Sequence, residues 1–189
     1  AEARQRLAQD RHADIGARLL TLMYKAQTQE IEDYVRHTLQ DLKTLTRGLA
    51  ASDHLLTHAA AEWKSDIQQR LEAAGVELHW RFDIDRDMDL SVVQWSALTR
   101  VLRELVSNTI HHALATRVEV VARLDGPRLM LSVRDDGKGL DPSAWSHGLG
   151  LGGVRKRVKQ LGGTVRWRTR RRGGIACEVD VPRLRPSTD

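Results

Sequence analysis

The chain has 189 residues, 41% of them hydrophobic, and Lys+Arg 30 against Asp+Glu 25 gives a formal net charge of +5. That length buries one good core and leaves room for a second, smaller unit. The single Cys177 excludes an intrachain disulfide and fits a reducing compartment; no apolar run approaches the roughly 20 residues of a membrane span.

From Glu2 to Tyr24, Leu7, Ile15, Leu19 and Leu22 recur on one helical face, with Arg11 on the same stripe. Gln27-Thr28-Gln29 reads as a turn with Thr28 as a cap. A second stripe runs through Ile31, Val35, Leu39, Leu42, Leu45 and Leu49 with a repeat close to that of a coiled coil. Two antiparallel helices cannot bury both stripes by themselves, so the hairpin is expected to pair with a second copy as a four-helix bundle. No signal peptide is visible, and the chain begins with helical character, as a piece with upstream segments would.

Ala50-Ala51-Ser52-Asp53 reads as a boundary, with Ser52 or Asp53 capping a helix that runs to about Ala74 and stops at Gly75. Leu78, Trp80, Phe82 and Ile84 alternate as a strand, and Asp83–Asp89 is an acidic connection. Ser91 opens a helix to about His112. Val118–Leu124 is a strand, Asp125-Gly126-Pro127 a turn, and Arg128–Arg134 the strand that delivers Asp135. A helix over Val154–Leu161 stops at Gly162-Gly163. A hairpin through Val165, Trp167, Gly173-Gly174, Ile175, Cys177, Val179 and Val181 follows, then a frayed tail from Pro182.

The chemistry concentrates between Leu129 and Gly153. Asp135 falls in phase with Leu129, Leu131 and Val133, so a carboxylate aims toward an apolar face and needs a donor, which a ligand amine would supply. Gly137 and Gly139 allow positive φ and a close approach to something flat. Gly148, Gly150, Gly152 and Gly153 precede a helix whose N-terminus offers free N–H groups to phosphate. On the Ser91–His112 helix, Arg100, Glu104, Asn108, His111 and His112 form a polar stripe roughly opposite Leu98, Leu102 and Leu105. Asn108 is a weak helix former, best explained by something it ligates, and an Asn carbonyl one turn from a Glu suits magnesium.

Glu104-Leu-Val-Ser-Asn108 followed by His112 resembles the N box of sensor histidine kinases. Asp135-Asp-Gly137-Lys-Gly139 resembles their G1 box, and Gly148-Leu149-Gly150-Leu151 their G2 box, in the family's order. Arg4–Leu20 resembles the phosphoacceptor helix of one subfamily. The resemblance implies an α + α/β architecture: residues 1–52 as a dimerisation and phosphotransfer hairpin forming a dimeric four-helix bundle, and residues 53–189 as a Bergerat-type α/β sandwich with a mixed sheet.

The resemblance also implies the roles. His12 would accept the γ-phosphoryl group of ATP and pass it to an aspartate on a response regulator receiver domain. Glu104 would assist the transfer or order the metal's water, and Asn108 would hold Mg²⁺. His111 and His112 would lie near the phosphates. Asp135 would accept from the adenine amine, Gly137 and Gly139 would pass close to the base, and Gly148, Leu149 and Gly150 would hinge a lid over the triphosphate; Trp145 would pack on that lid or serve equally as an ordinary core anchor. The chain is expected to be the cytoplasmic part of a membrane-anchored sensor, touching membrane only through upstream segments.

Three positions depart from the family's pattern. Ala13 stands where an acid normally follows the phosphoacceptor, Ala17 where many relatives carry a Gln, and Arg11 where a Leu is usual. Transfer to His12 is therefore expected to be slow. Two other readings compete: an ATP-responsive dimerisation module without efficient phosphotransfer, and a nucleic-acid surface at Arg166–Arg172. A solvated hairpin accounts for the second more simply, so no direct nucleic-acid contact is expected.

Overall fold

The computed structural model describes residues 13–22, 29–50, 54–139 and 149–186. Residues 13–22 are helical (α1), and α2 spans Gln29–Ala50. They pack together: a methyl group at Gly16 would lie 4.0 Å from Leu39 Cδ2. Val35 is buried, whereas Ile15, Leu22, Ile31, Leu45 and Leu49 remain exposed within the chain. Much of each stripe is thus still open to water.

The remainder is α3 (Leu56–Ala73), β1 (Glu77–Ile84), α4 (Val92–Asn108), β2 (Arg117–Asp125), β3 (Arg128–Asp135), α5 (Leu149–Gln160), β4 (Thr164–Thr169) and β5 (Ile175–Val181). The sheet order is β1-β2-β3-β5-β4, with β1 parallel to β2 and every other pairing antiparallel. This is the expected mixed sheet. Alternation sorts its faces. Val118, Val120, Ala122 and Leu124 of β2, with Leu129, Leu131 and Val133 of β3, join one core with Leu56, Ile67 and Leu71 of α3 and Leu98, Leu102 and Leu105 of α4. The other face is polar, where Glu178 binds Arg166 and Arg168, and Arg128 binds Asp180.

Several boundaries differ from the sequence reading, each for a long-range reason. Ser52 and Asp53 lie outside the described residues, and α3 begins at Leu56 with Leu55 at its N-cap, making no side-chain cap bond. Its first turn is satisfied instead by Asp87, whose carboxylate accepts from the Thr57 N–H at 3.1 Å and from the Thr57 hydroxyl. Helix α5 starts at Leu149 rather than Val154, so Gly150, Gly152 and Gly153 lie inside it. The tail is not frayed through residue 186. Leu184 is buried and its N–H donates to the Pro127 carbonyl at 2.8 Å, while the buried Arg185 reaches Asp85 and the Arg86 carbonyl.

The hairpin helices also touch the sheet domain. Asp41 of α2 forms ion pairs with Arg100 of α4 at 3.1 Å and Arg157 of α5 at 2.9 Å. Arg103 Nη1 donates to Thr44 Oγ1 at 3.1 Å. Gly48 leaves room for Trp95, since a Cβ there would sit 2.9 Å from the indole.

Candidate functional site

Helix α4 is started by a capping box: the Gln94 N–H donates to Ser91 Oγ, and the Ser91 N–H donates to Gln94 Oε1. Its far end does not simply stop. Residues Thr109–Ala113 continue as a π-helical turn, closed by Leu114 in the left-handed region at φ 49. A widened turn of this kind is common where a helix delivers side chains to a site. Asn108 is the last residue before the widening.

Strand β3 brings Asp135 to the same place. It is 4% exposed, in phase with Leu129, Leu131 and Val133 as its position in the strand predicts. One carboxylate oxygen, Oδ1, accepts from the Gly137 N–H at 2.9 Å and the Ile175 N–H at 3.3 Å. Burial pushes its carboxyl above the usual carboxylate range, while those two N–H groups and the Arg170 charge pull the other way. Asp136 points elsewhere. Its carboxylate accepts from the Thr116 N–H at 2.8 Å and the Arg117 N–H at 2.9 Å, fastening the start of β2.

Between these two elements lies a small, open concavity. Leu105, Asn108, Thr109, Val133, Asp135, Trp167, Ile175 and Cys177 line it. Apolar walls with a few convergent polar groups suit a flat organic ligand. The Asn108 amide nitrogen and the Trp167 indole nitrogen are buried without a hydrogen-bond partner. A buried polar atom left unmatched costs roughly 1–3 kcal/mol, so a ligand that meets it is bound the more tightly. The Cys177 thiol is pushed well above its ordinary value by burial and stays a neutral wall group.

The structure therefore places Asn108 and Asp135, far apart in sequence, on one pocket. The other expected residues are distributed differently. Glu104 is half-buried one turn earlier on α4 and does not line the pocket; His111 is exposed on the π turn. His112 belongs to the same turn by its backbone. Gly137 and Gly139 approach protein rather than open space. A Cβ on Gly137 would meet the Ala113 carbonyl oxygen at 2.0 Å, and that oxygen also accepts from the Lys138 N–H at 2.8 Å. Gly137 does not adopt positive φ; Gly139 does, at φ +66, with Gly174 N 3.3 Å from where its Cβ would be. Leu149 and Gly150 open α5. His12, Arg11, Trp145, Gly148 and the lid segment 140–147 lie outside the described residues. Ala13 and Ala17 are exposed on α1, and Asp14 pairs with Arg18 at 3.2 Å.

Residues 94–185 match the family profile described as histidine kinase-, DNA gyrase B- and HSP90-like ATPase. The signal transduction histidine-protein kinase/phosphatase UhpB of Salmonella typhimurium is 40% identical over 100 residues, which is 52% of this chain and 19% of its own. The sensor histidine kinase YxjM of Bacillus subtilis is 23% identical over 205 aligned positions, covering 96% of this chain and 48% of its own length. Residues 94–185 are thus similar to the ATPase domain that histidine kinases share with DNA gyrase B and HSP90, and both curated relatives are histidine kinases. The fold agrees: the histidine kinase domain of the Erythrobacter litoralis EL346 blue-light activated histidine kinase superposes with a TM-score of 0.58 at 18% identity, over 92% of this chain and 94% of that one. The chain spans about a fifth of the first curated relative and about half of the second.

The matched ATPase region contains every residue of the pocket and the whole of β2 to β5. Sequence reasoning missed Thr109, Trp167 with its unmatched indole nitrogen, Ile175, whose N–H meets Asp135, and Cys177 among the lining residues, and Gly174 beside them. A Cβ on Gly174 would lie 1.9 Å from the Asp135 carbonyl oxygen, and its φ is +91. The available signal was the Gly173-Gly174 pair, which reads as an ordinary hairpin turn until the strand it covers is known. Among the described residues no helix is long and apolar enough to cross a membrane, and no group of three or more His, Cys, Asp or Glu is placed to hold a metal.

Proposed function

We propose that this kinase core binds Mg-ATP in the Asn108/Asp135 pocket and transfers the γ-phosphoryl group to His12, from which it passes to an aspartate of a response regulator. The observation that carries the reading is the meeting of Asn108 and Asp135 on one apolar-walled pocket inside the matched ATPase domain.

The roles follow from the chemistry of the groups. Asp135, ionised, accepts from the 6-amino group of adenine, while Leu105, Val133 and Ile175 exclude water from the ring. Asn108 fits a magnesium ion. Its amide oxygen would hold the ion, since Mg²⁺ characteristically takes one or two protein oxygens and completes its shell with phosphate and water, while its amide nitrogen, unmatched within the protein, would donate to a phosphate oxygen. When bound, the ion would neutralise charge on the phosphates, the main requirement of phosphoryl transfer. Glu104 would assist the transfer or order the metal's water in this reading, and His111 and His112 would act near the phosphates.

The neutral imidazole of His12 attacks the γ-phosphorus, the bond to the bridging oxygen breaks, ADP leaves, and the ring proton is lost to a base. Ala13 supplies no carboxylate to draw that proton, so the step is slow. Residues 1–52 pair with a second copy, covering the exposed Ile15, Leu22, Leu45 and Leu49. Residues 53–189 act as the ATP-binding domain, on the cytoplasmic side of a membrane-anchored sensor. The Arg166–Arg172 cluster has internal duties, since Arg166 and Arg168 bind Glu178 and Arg170 binds Asp135.

The experiment is incubation of the chain with γ-labelled ATP and Mg²⁺. Acid-labile, alkali-stable label that disappears in His12→Gln and rises in Ala13→Asp is the expected result. ATP binding without label in either background would instead support a dimerisation module that responds to ATP without efficient transfer.

A further inference from the structure

The basic run Arg166–Arg172 is not one surface. Arg166 and Arg168 lie on the polar face of the sheet against Glu178, and Arg171 and Arg172 are exposed. Arg170 does something different. It sits at the start of the β4–β5 turn, where its own N–H donates to the Gly174 carbonyl at 2.9 Å and its carbonyl accepts from the Gly173 N–H at 3.2 Å. Its guanidinium folds back, and Nη1 donates to the backbone carbonyl of Asp135 at 2.7 Å. Nη2 lies 3.9 Å from Glu119 Oε2 on β2, so the side chain spans from its turn across the end of β3 toward β2.

Two further parts of the same turn press on Asp135. Gly174 approaches so closely that no side chain fits between it and the Asp135 carbonyl, and the Ile175 N–H donates to the carboxylate itself. The loop after Asp135 leans on the turn as well, since Gly139 packs against Gly174 and Thr169. The orientation of the Asp135 carboxylate is therefore set from behind, by the β4–β5 turn, as much as by its own loop. Among the contacts this turn makes on Asp135 itself, that of Arg170 comes from a side chain.

We propose that Arg170 is a positioning residue for Asp135: it holds the peptide that aims the carboxylate at the amine of the bound base, and so sets the preference for a 6-amino purine. This rests on the reading of the pocket as an ATP site. A carboxylate tuned to accept from one amine tolerates little misplacement, because both the length and the angle of the hydrogen bond decide its strength.

Equilibrium binding to the full chain tests it with two nucleotides, ATP and purine riboside triphosphate, which lacks the 6-amino group. Arg170→Met is expected to weaken ATP about tenfold, the size of one hydrogen bond to a charged group, and to leave the amine-free nucleotide within about twofold. Arg170→Lys recovers part of the loss, because one ammonium donor still reaches the Asp135 carbonyl. Arg171→Met leaves both affinities unchanged. Equal weakening of the two nucleotides by Arg170→Met, as a merely structural role requires, overturns the proposal, and so does no change in either. If Asp135→Asn leaves the preference for ATP over the amine-free nucleotide intact, the ATP reading of the pocket fails first, and this inference fails with it.

Discussion

Asp41→Asn removes one charge from α2 while keeping the side chain's size, and the structure says what that charge does. Asp41 meets two guanidiniums at once, Arg100 at 3.1 Å and Arg157 at 2.9 Å, whose side chains are each only 18% exposed. Burial pulls the Arg100 guanidinium below its ordinary value, Asp41 offsets part of that, and the Arg157 charge adds to it. Without the carboxylate, two partly buried cations are left facing each other. At an effective dielectric of 20, one pair at 3 Å is worth about 5.5 kcal/mol before desolvation. Asp41 itself is 37% exposed, so water screens much of this, and a net loss of about 2 kcal/mol in docking of α2 on the sheet domain is the expected size. That multiplies the undocked population by roughly thirty. Gly153→Ala should act on the same contact, since its Cβ would sit 2.6 Å from Arg157 Nη1 and would push that side chain away. Hydrogen exchange along α2 reads the docking directly, and the two substitutions together should cost less than their sum. Unchanged exchange in Asp41→Asn, or full additivity, would refute the coupling.

Two further outcomes follow from the pocket. Gly174→Ala places a methyl 1.9 Å from the Asp135 carbonyl at φ +91, and should cost at least about 2 kcal/mol and abolish ATP binding; Gly126→Ala, at φ +56 with nothing within 4 Å, should cost about 1 kcal/mol, and thermal melting separates the two. The pH dependence has a fixed sign: burial raises the Asp135 carboxyl, the ionised form is the one that accepts from the amine, and so ATP affinity falls as pH drops through that raised value. The fall should approach tenfold per pH unit, and calorimetry across acid pH should show it vanish in Asp135→Asn.

The parts of this fold that depend on local pattern were legible in the sequence. The phase of Asp135 with Leu129, Leu131 and Val133, the Ser91 cap, and the stops at Gly75 and Gly162 need only neighbours in the chain, and the structure shows each. What was not legible depends on residues distant in sequence. The start of α3 is completed by Asp87, and the tail is held by Pro127, Asp85 and Arg86. Gly137 looks like a residue for a ligand to approach, but the backbone it must clear is that of Ala113, brought there by the π turn. Arg170 reads as one more exposed cation until the β4–β5 turn folds it onto β3. In each case the pattern shows the residue's character and only the tertiary pairing shows its partner.

An ATP molecule in the proposed site would touch both Asn108 and Asp135. Calorimetric titration of the full chain with ATP in magnesium tests it most directly, run beside Asp135→Asn and Asn108→Ala. Saturable one-site binding is expected, weakened at least about tenfold by Asp135→Asn whether or not magnesium is present, and made nearly indifferent to magnesium by Asn108→Ala. Binding of equal strength in all three proteins would contradict it.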